Sequence, residues 1–290
     1  MTAPRREVGR PRPISYNRRI MAINVDSRGR TVEESVVLAM DGTDASLYPY
    51  LPYILQDIWQ IGASPDLIIQ VLRRRLPRKA GFRLLDLGCG KGAVSIPVAA
   101  AFDCSCLGID AVEAFIAEAR ARAAEHGVDA RCRFEVGDIR EEIKGLAGFD
   151  VIVLGAIGPV FGDYRETLTT LAPCLKPEGL FIVDEGYFHD ASSSTHPIIR
   201  KKSVILREIE EAGMELVEEA VISEEDLKES DDDIFAKLKN RCLELAAAVP
   251  DKKDLFLDYV RRQLEENRVL ETEAVCATLV IRRKKPPAEA

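Results

Sequence analysis

A chain of 290 residues, 47% of them hydrophobic, can bury a full core as one large domain or as one domain with appendages. Its net charge of −8 argues against a polyanion as the main partner, since phosphate binding needs clustered Lys and Arg. No apolar run reaches the ~18 residues of a membrane-spanning helix, no secretory leader is read at the start, and the odd set Cys89, Cys104, Cys106, Cys132, Cys174, Cys242 and Cys276 suits a reducing cytoplasm.

Residues 1–45 read as a basic N-terminal arm, partly mobile. Arg5, Arg6, Arg10, Arg12, Arg18, Arg19, Arg28 and Arg30 crowd its start, and prolines interrupt the amphipathic helix that a transit peptide needs. Within it, the β-prone runs 20–25 and 31–38 flank Asp26-Ser27-Arg28-Gly29 and predict a hairpin. Leu51, Ile54, Leu55 and Ile58 then recur at helical spacing and predict a short amphipathic helix. Tyr53 and Gln56 fall on its other face and Trp59 at its edge, and these three are the candidates for a substrate pocket. Ser64 caps the next helix, with Pro65 at its first position and Ile68, Ile69, Val71, Leu72 and Leu76 turned inward.

Residues 84–92, L-L-D-L-G-C-G-K-G, join a buried strand to a helix at 93–102 through a glycine turn that lets backbone approach a ligand. Asp86, just before the turn, would repel a pyrophosphate and attract an ammonium group. A second buried strand, 104–109, ends in Asp110 about twenty residues past the glycines, where a carboxylate can accept both hydroxyls of a ribose. After a helix at 111–126, a third strand at 132–136 ends at Gly137-Asp138-Ile139. Each acid therefore stands at the carboxyl end of a parallel strand, the edge where open α/β sheets bind ligands.

The fourth strand, F-D-V-I-V-L-G at 149–155, leaves through Gly155 into a segment without an acid, and Asp163 with Glu166 forms a capping box for the next helix. The fifth strand, 180–183, runs into Asp184-Glu185-Gly186-Tyr187-Phe188-His189-Asp190. A helix at 198–212 and strands at 214–221 and 275–283 complete the pattern. The interval 223–273 is too long for a simple connection and reads as an inserted helical hairpin. Ile234, Leu238, Cys242 and Leu245 stripe one arm and Phe256, Tyr259, Val260 and Leu264 the other. Asp231, Asp232 and Asp233 are read as satisfying a helix dipole, and no residue is assigned to a metal.

Over roughly residues 62–222 and the last strand, these motifs resemble the class I S-adenosylmethionine-dependent methyltransferases. The resemblance implies an α/β, doubly wound, mostly parallel seven-stranded Rossmann-like sheet, with its core in residues 46–222 and 274–285. The hairpin at 223–273 would serve as a substrate lid. S-adenosylmethionine would be the cofactor and S-adenosylhomocysteine its product. Asp86, Gly88, Cys89 and Gly90 would hold the methionine part, Asp110 with Ala111 the ribose, and Asp138 with Ile139 the adenine, Gly155 completing the set.

The implied reaction is in-line displacement onto a small-molecule acceptor, catalysed largely by positioning, with oxygen, nitrogen, carbon, sulfur or a metalloid as the accepting atom. His189, flanked by Tyr187 and Asp190 past the fifth strand, is the candidate base, because imidazoles exchange protons near neutral pH; Glu185 and Tyr164 are lesser ones. The acidic balance and the lack of an N-P-P-Y-like exit from the fourth strand disfavour nucleic acid. Two rivals stand beside this reading: an RNA or protein methyltransferase that uses the basic arm, and a non-catalytic S-adenosylmethionine-binding protein. The oligomeric state is left open, a homodimer included.

Overall fold

Near-continuous apolar runs, whose successive side chains point to opposite faces, let one sheet bury both of its faces. In a computed structural model of the protein, described over residues 29–76 and 81–285, β1 (Phe82–Leu87), β2 (Cys104–Asp110), β3 (Cys132–Val136), β4 (Phe149–Gly155) and β5 (Leu175–Phe188) pair in parallel. The two-residue β6 (Arg200–Lys201) adds to the far end of β5, and β7 (Met214–Val221) and β8 (Val275–Arg283) extend the sheet, with β8 antiparallel to both β5 and β7. The order is β3-β2-β1-β4-β5-β8-β7, so the seven expected strands are present and β6 is a short addition. Chain direction across the sheet reverses between β1 and β4, and that crevice is where such sheets bind ligands.

Leu84, Val151, Val153 and Ile182 face α3 (Pro65–Arg75), α4 (Ser95–Ala101) and α5 (Glu113–Glu125). Leu85, Ile152, Leu154 and Phe181 face α6 (Ile139–Glu142), α7 (Tyr164–Leu171) and α8 (Lys202–Glu211). A third layer lies over the carboxyl ends of the strands. There α1 (Val32–Ala39) and α2 (Leu51–Ile54) pack with α9 (Glu224–Ala248) and α10 (Lys253–Thr272) through Val37, Leu51, Ile54, Leu238, Cys242 and Phe256. Phe115 at the start of α5 joins that cluster and seats it on the sheet layer. No helix of the described residues is long and apolar enough to cross a membrane.

Several expectations change. The run 31–38, read as a hairpin strand, is α1: Thr31 Oγ1 accepts from the Glu34 N–H at 3.2 Å while Glu34 accepts from the Thr31 N–H at 2.7 Å, a capping box that outweighs the β propensity of the valines. The other expected strand, 20–25, and the start of the basic arm lie outside the described residues, and from Thr31 onward the arm is part of the packed structure. The amphipathic helix at 51–58 shrinks to α2, preceded by a 3₁₀ turn at Ala45–Tyr50 that contains Pro49. The fifth strand is much longer than expected, starting at Leu175 and crossing Lys176-Pro177-Glu178-Gly179 with a register shift against β4.

Phe181 is fully buried at the middle of β5. Replacing it with Ala should lower unfolding free energy by about 3–5 kcal/mol, read as a fall in urea midpoint with an unchanged slope. A loss under about 1 kcal/mol would mean that this face is not close-packed.

Candidate active site

The turn after β1 is held from β2. The Gly88 and Cys89 N–H groups donate to the Ile109 carbonyl at 2.8 and 3.1 Å. The Gly90 N–H donates to Asp110 Oδ2 and the Val112 N–H to Asp110 Oδ1, both at 2.8 Å. Gly88 and Gly90 both have left-handed backbone, φ 70° and 51°. A Cβ on Gly88 would lie 2.5 Å from Ile157 Cγ2, whereas one on Gly90 would meet nothing, so open space lies beside the Asp110 carboxylate. Each oxygen of Asp110 accepts one backbone N–H and keeps a lone pair for a ligand. Burial raises the pKa of Asp110 while the Val112 and Gly90 amides oppose the shift.

Asp86 accepts from Ser95 Oγ at 2.6 Å. Burial pushes its carboxyl up to about 6, the Ser95 bond opposing and the Asp110 charge adding to the rise. Asp138 caps α6 and is paired with Arg140, whose Nε lies 2.9 Å from Oδ1 and whose own N–H donates to the same oxygen at 3.0 Å. Arg140 also reaches the Arg30 carbonyl at 3.1 Å, joining the acid to the segment before α1.

These groups wall a cavity of about 350 Å³ over the crevice between β1 and β4. Asp86, Gly88, Cys89, Gly90, Asp110, Ala111, Asp138, Ile139 and Gly155, from four different strand ends, all line it. Of the substrate candidates Trp59 lines it; its Nε1 donates to the Lys91 carbonyl at 3.0 Å and the Arg122 guanidinium lies 4.9 Å from its ring centroid. Tyr53 instead donates to Glu244 of α9 at 2.7 Å, and Gln56 is exposed; neither lines the cavity, because the chain turns away after the single turn of α2. His189 also stands outside the lining and is exposed. The reason is the length of β5, which continues past the cavity to pair Tyr187 and Phe188 with β6, so that Asp184, Glu185 and Gly186 take the position at the rim. Glu185 is pushed up to about 7 by burial and accepts from the Tyr164 hydroxyl at 3.4 Å.

Other lining residues were not singled out. Lys91 is 2% exposed; its Nζ donates to the Leu55 carbonyl at 2.7 Å and lies 3.0 Å from Glu118, tying the glycine turn to the N-terminal layer. Asp41, at φ 60°, accepts from Gln263 Nε2 at 3.0 Å, and burial, reinforced by Glu266, pushes it up to about 7. Tyr259, Gln263, Glu266, Asn267 and Leu270 form the inward stripe of α10, whereas Leu264, expected inward, is 57% exposed. Polar residues at helical spacing from Tyr259 were the available signal. Asp231, Asp232 and Asp233 do not serve the helix dipole, since α9 begins at Glu224 and its first turn carries Glu224, Glu225 and Asp226. Asp232 and Asp233 pair with Lys228 and Lys237, and Asp231 faces the cavity. Among the described residues no group of three or more His, Cys, Asp or Glu could hold a metal ion.

A family model described as a methyltransferase domain matches residues 78–240. The chain is 43% identical over 77 residues to the 27-O-demethylrifamycin SV methyltransferase of Amycolatopsis mediterranei strain S699, covering 27% of this chain and 28% of that protein. It is 36% identical over 103 residues to the ubiquinone biosynthesis O-methyltransferase of Caulobacter sp. strain K31, covering 36% and 40%. The matched stretches thus span less than half the length of these curated relatives. In fold the chain resembles a methyltransferase from Thiobacillus denitrificans solved with S-adenosyl-L-homocysteine, at TM-score 0.64 and 21% identity, covering 81% of this chain and 98% of that one. With the glycine turn, the strand-end acids and more than half of its length matched, the chain belongs to the methyltransferase-domain family, within the class I S-adenosylmethionine-dependent methyltransferases.

Proposed function

We propose that the protein methylates a small molecule inside the cavity roofed by α1, α9 and α10, with the donor held on the strand-end side. The observation that carries this reading is the roof itself. A cavity of about 350 Å³, with Leu227, Ile234, Leu238 and Leu270 along its roof, is of a size and lining that suit a small ligand. The names of the two curated relatives, which refer to a rifamycin and to ubiquinone synthesis, agree with it.

In this reading Asp110 accepts the donor's ribose hydroxyls through its remaining lone pairs, and Asp86 faces the α-ammonium group across the glycine turn. Cys89 and Gly90 bring backbone against the methionine part, and Ile139 lies on the adenine with Asp138 at its edge. The bound donor supplies an electrophilic methyl group. The chain's contribution is to align an acceptor with that methyl and to exclude water, which strengthens every electrostatic contact inside. No base role falls to His189. Where the acceptor gives up a proton, Glu185, which lines the cavity and is held near 7 by burial, is the group suited to take it.

Asp110→Ala should weaken S-adenosylhomocysteine binding about 10- to 100-fold, since losing a charged acceptor costs about 1.5–3 kcal/mol. Calorimetry on a folded variant with unchanged affinity would refute the ribose assignment. Affinity should also depend on pH through Asp86. An ammonium group favours the carboxylate, so binding is full above pH 6 and weakens as pH falls through the value of about 6 that Asp86 has in the free protein. Binding near pH 6 should release a proton, and Asp86→Asn should remove this part of the dependence; an unaltered profile would place the ammonium group elsewhere. Once an acceptor is known, His189→Ala should keep turnover within about twofold, against the ~10²-fold loss that removal of a base brings. A loss of that size would restore His189 to the mechanism.

A further inference from the structure

The cavity carries more negative charge than the donor side uses. Beyond Asp86, Asp110 and Asp138, five more carboxyl groups line it: Asp41, Asp184, Glu185, Asp231 and Glu266. Among the described residues the lining cations are Lys91 and Arg140, and both are committed, the first to the Leu55 carbonyl and Glu118, the second to Asp138. The five acids share the cavity wall with Cys276. The Cys276 thiol is pushed up to about 12 by burial and then by the charges of Asp231, Glu185, Glu266 and Asp184. Asp41 feels Glu266 and Asp231.

Two of these acids hold oxygens without a protein partner. Asp184, 8% exposed, accepts from the Thr278 hydroxyl through Oδ1, while its Oδ2 has no well-formed hydrogen bond; burial raises its pKa, and the Thr278 hydroxyl and the Ser64 backbone N–H oppose the rise. Asp231 Oδ2 is likewise buried and unpartnered. An unpaired buried carboxylate destabilises a fold, and a cationic ligand relieves that penalty. Ile234, Leu238 and Leu270 supply apolar wall around the acids. A carboxylate or phenolate acceptor finds no uncommitted cation among the described lining residues, and any of these acids that is ionised repels it.

We propose that the acceptor is a small hydrophobic amine, cationic in solution and methylated on nitrogen, whose charge is recognised by Asp41, Asp184 and Asp231. This rests on the small-molecule methyl-transfer reading above. The ammonium first gives its proton to a lining carboxylate, Glu185 being suited to take it. The freed nitrogen lone pair then bonds to the methyl carbon as the carbon–sulfur bond breaks with its electron pair left on sulfur. The positive charge of the sulfonium thereby passes to the product nitrogen.

The test separates a metabolite extract of the source cells by cation exchange at pH 7 and incubates the retained and unretained fractions with protein and methyl-labelled S-adenosylmethionine. Label should enter the retained fraction. The double variant Asp41→Asn/Asp231→Asn should lower that incorporation at least tenfold while calorimetric affinity for S-adenosylhomocysteine stays within twofold. Label confined to the unretained fraction, or incorporation unaffected in the double variant, would overturn the amine assignment. Label in neither fraction, from protein that binds S-adenosylhomocysteine, would overturn the small-molecule reading beneath it.

Discussion

The site depends first on one carboxylate that does two jobs. Asp110, at the end of β2, accepts one backbone N–H from the glycine turn after β1 and one from the start of the β2–α5 connection. Those bonds fix two neighbouring loops relative to each other at the point where the sheet changes direction. The same buried position raises the group's pKa and leaves its outer lone pairs facing the cavity. A site built this way is pre-organised, because its ligand acceptor is already ordered by backbone bonds.

The N-terminal layer is joined to that platform by a second buried charge. Lys91, inside the glycine turn, donates to the Leu55 carbonyl beyond α2 and pairs with Glu118 of α5, while Trp59 donates back to the Lys91 carbonyl. Burial lowers the pKa of this lysine and Glu118 opposes that shift, so the cation persists where it has partners. Through it the turn, α5 and the segment after α2 are tied together.

The acids of the cavity divide into those that the fold satisfies and those that it does not. On the strand-end side the acids are satisfied, Asp110 by backbone, Asp86 by Ser95 and Asp138 by Arg140. On the roof side Asp41 has one amide donor from Gln263, and Asp231 of α9, like Asp184 of β5, keeps a buried oxygen without a partner. Groups left in that state are common at functional sites, where the ligand completes what the fold leaves open.

By itself the sequence determined the sheet, the glycine turn and the acids at the strand ends, because each depends on neighbours within a few residues: apolar runs, φ beyond the reach of a Cβ, and an acid at or next to the carboxyl end of a strand. Asp86, Asp110 and Asp138 were legible for that reason, as were the Ser64 and Asp163 caps and the existence of the α9–α10 hairpin. Only the tertiary structure decided the roofed half of the cavity. Asp41, Asp231 and Gln263 lie far apart in the chain and meet only when α1, α9 and α10 close over the strand ends. Which side of α10 turns inward was settled by packing against α1 and α9, which exposes Leu264 and buries Gln263. His189 shows the same limit, since its place followed from how far β5 runs before it leaves the sheet, and hydrogen bonds to β6 and β8 set that length rather than any residue nearby in sequence.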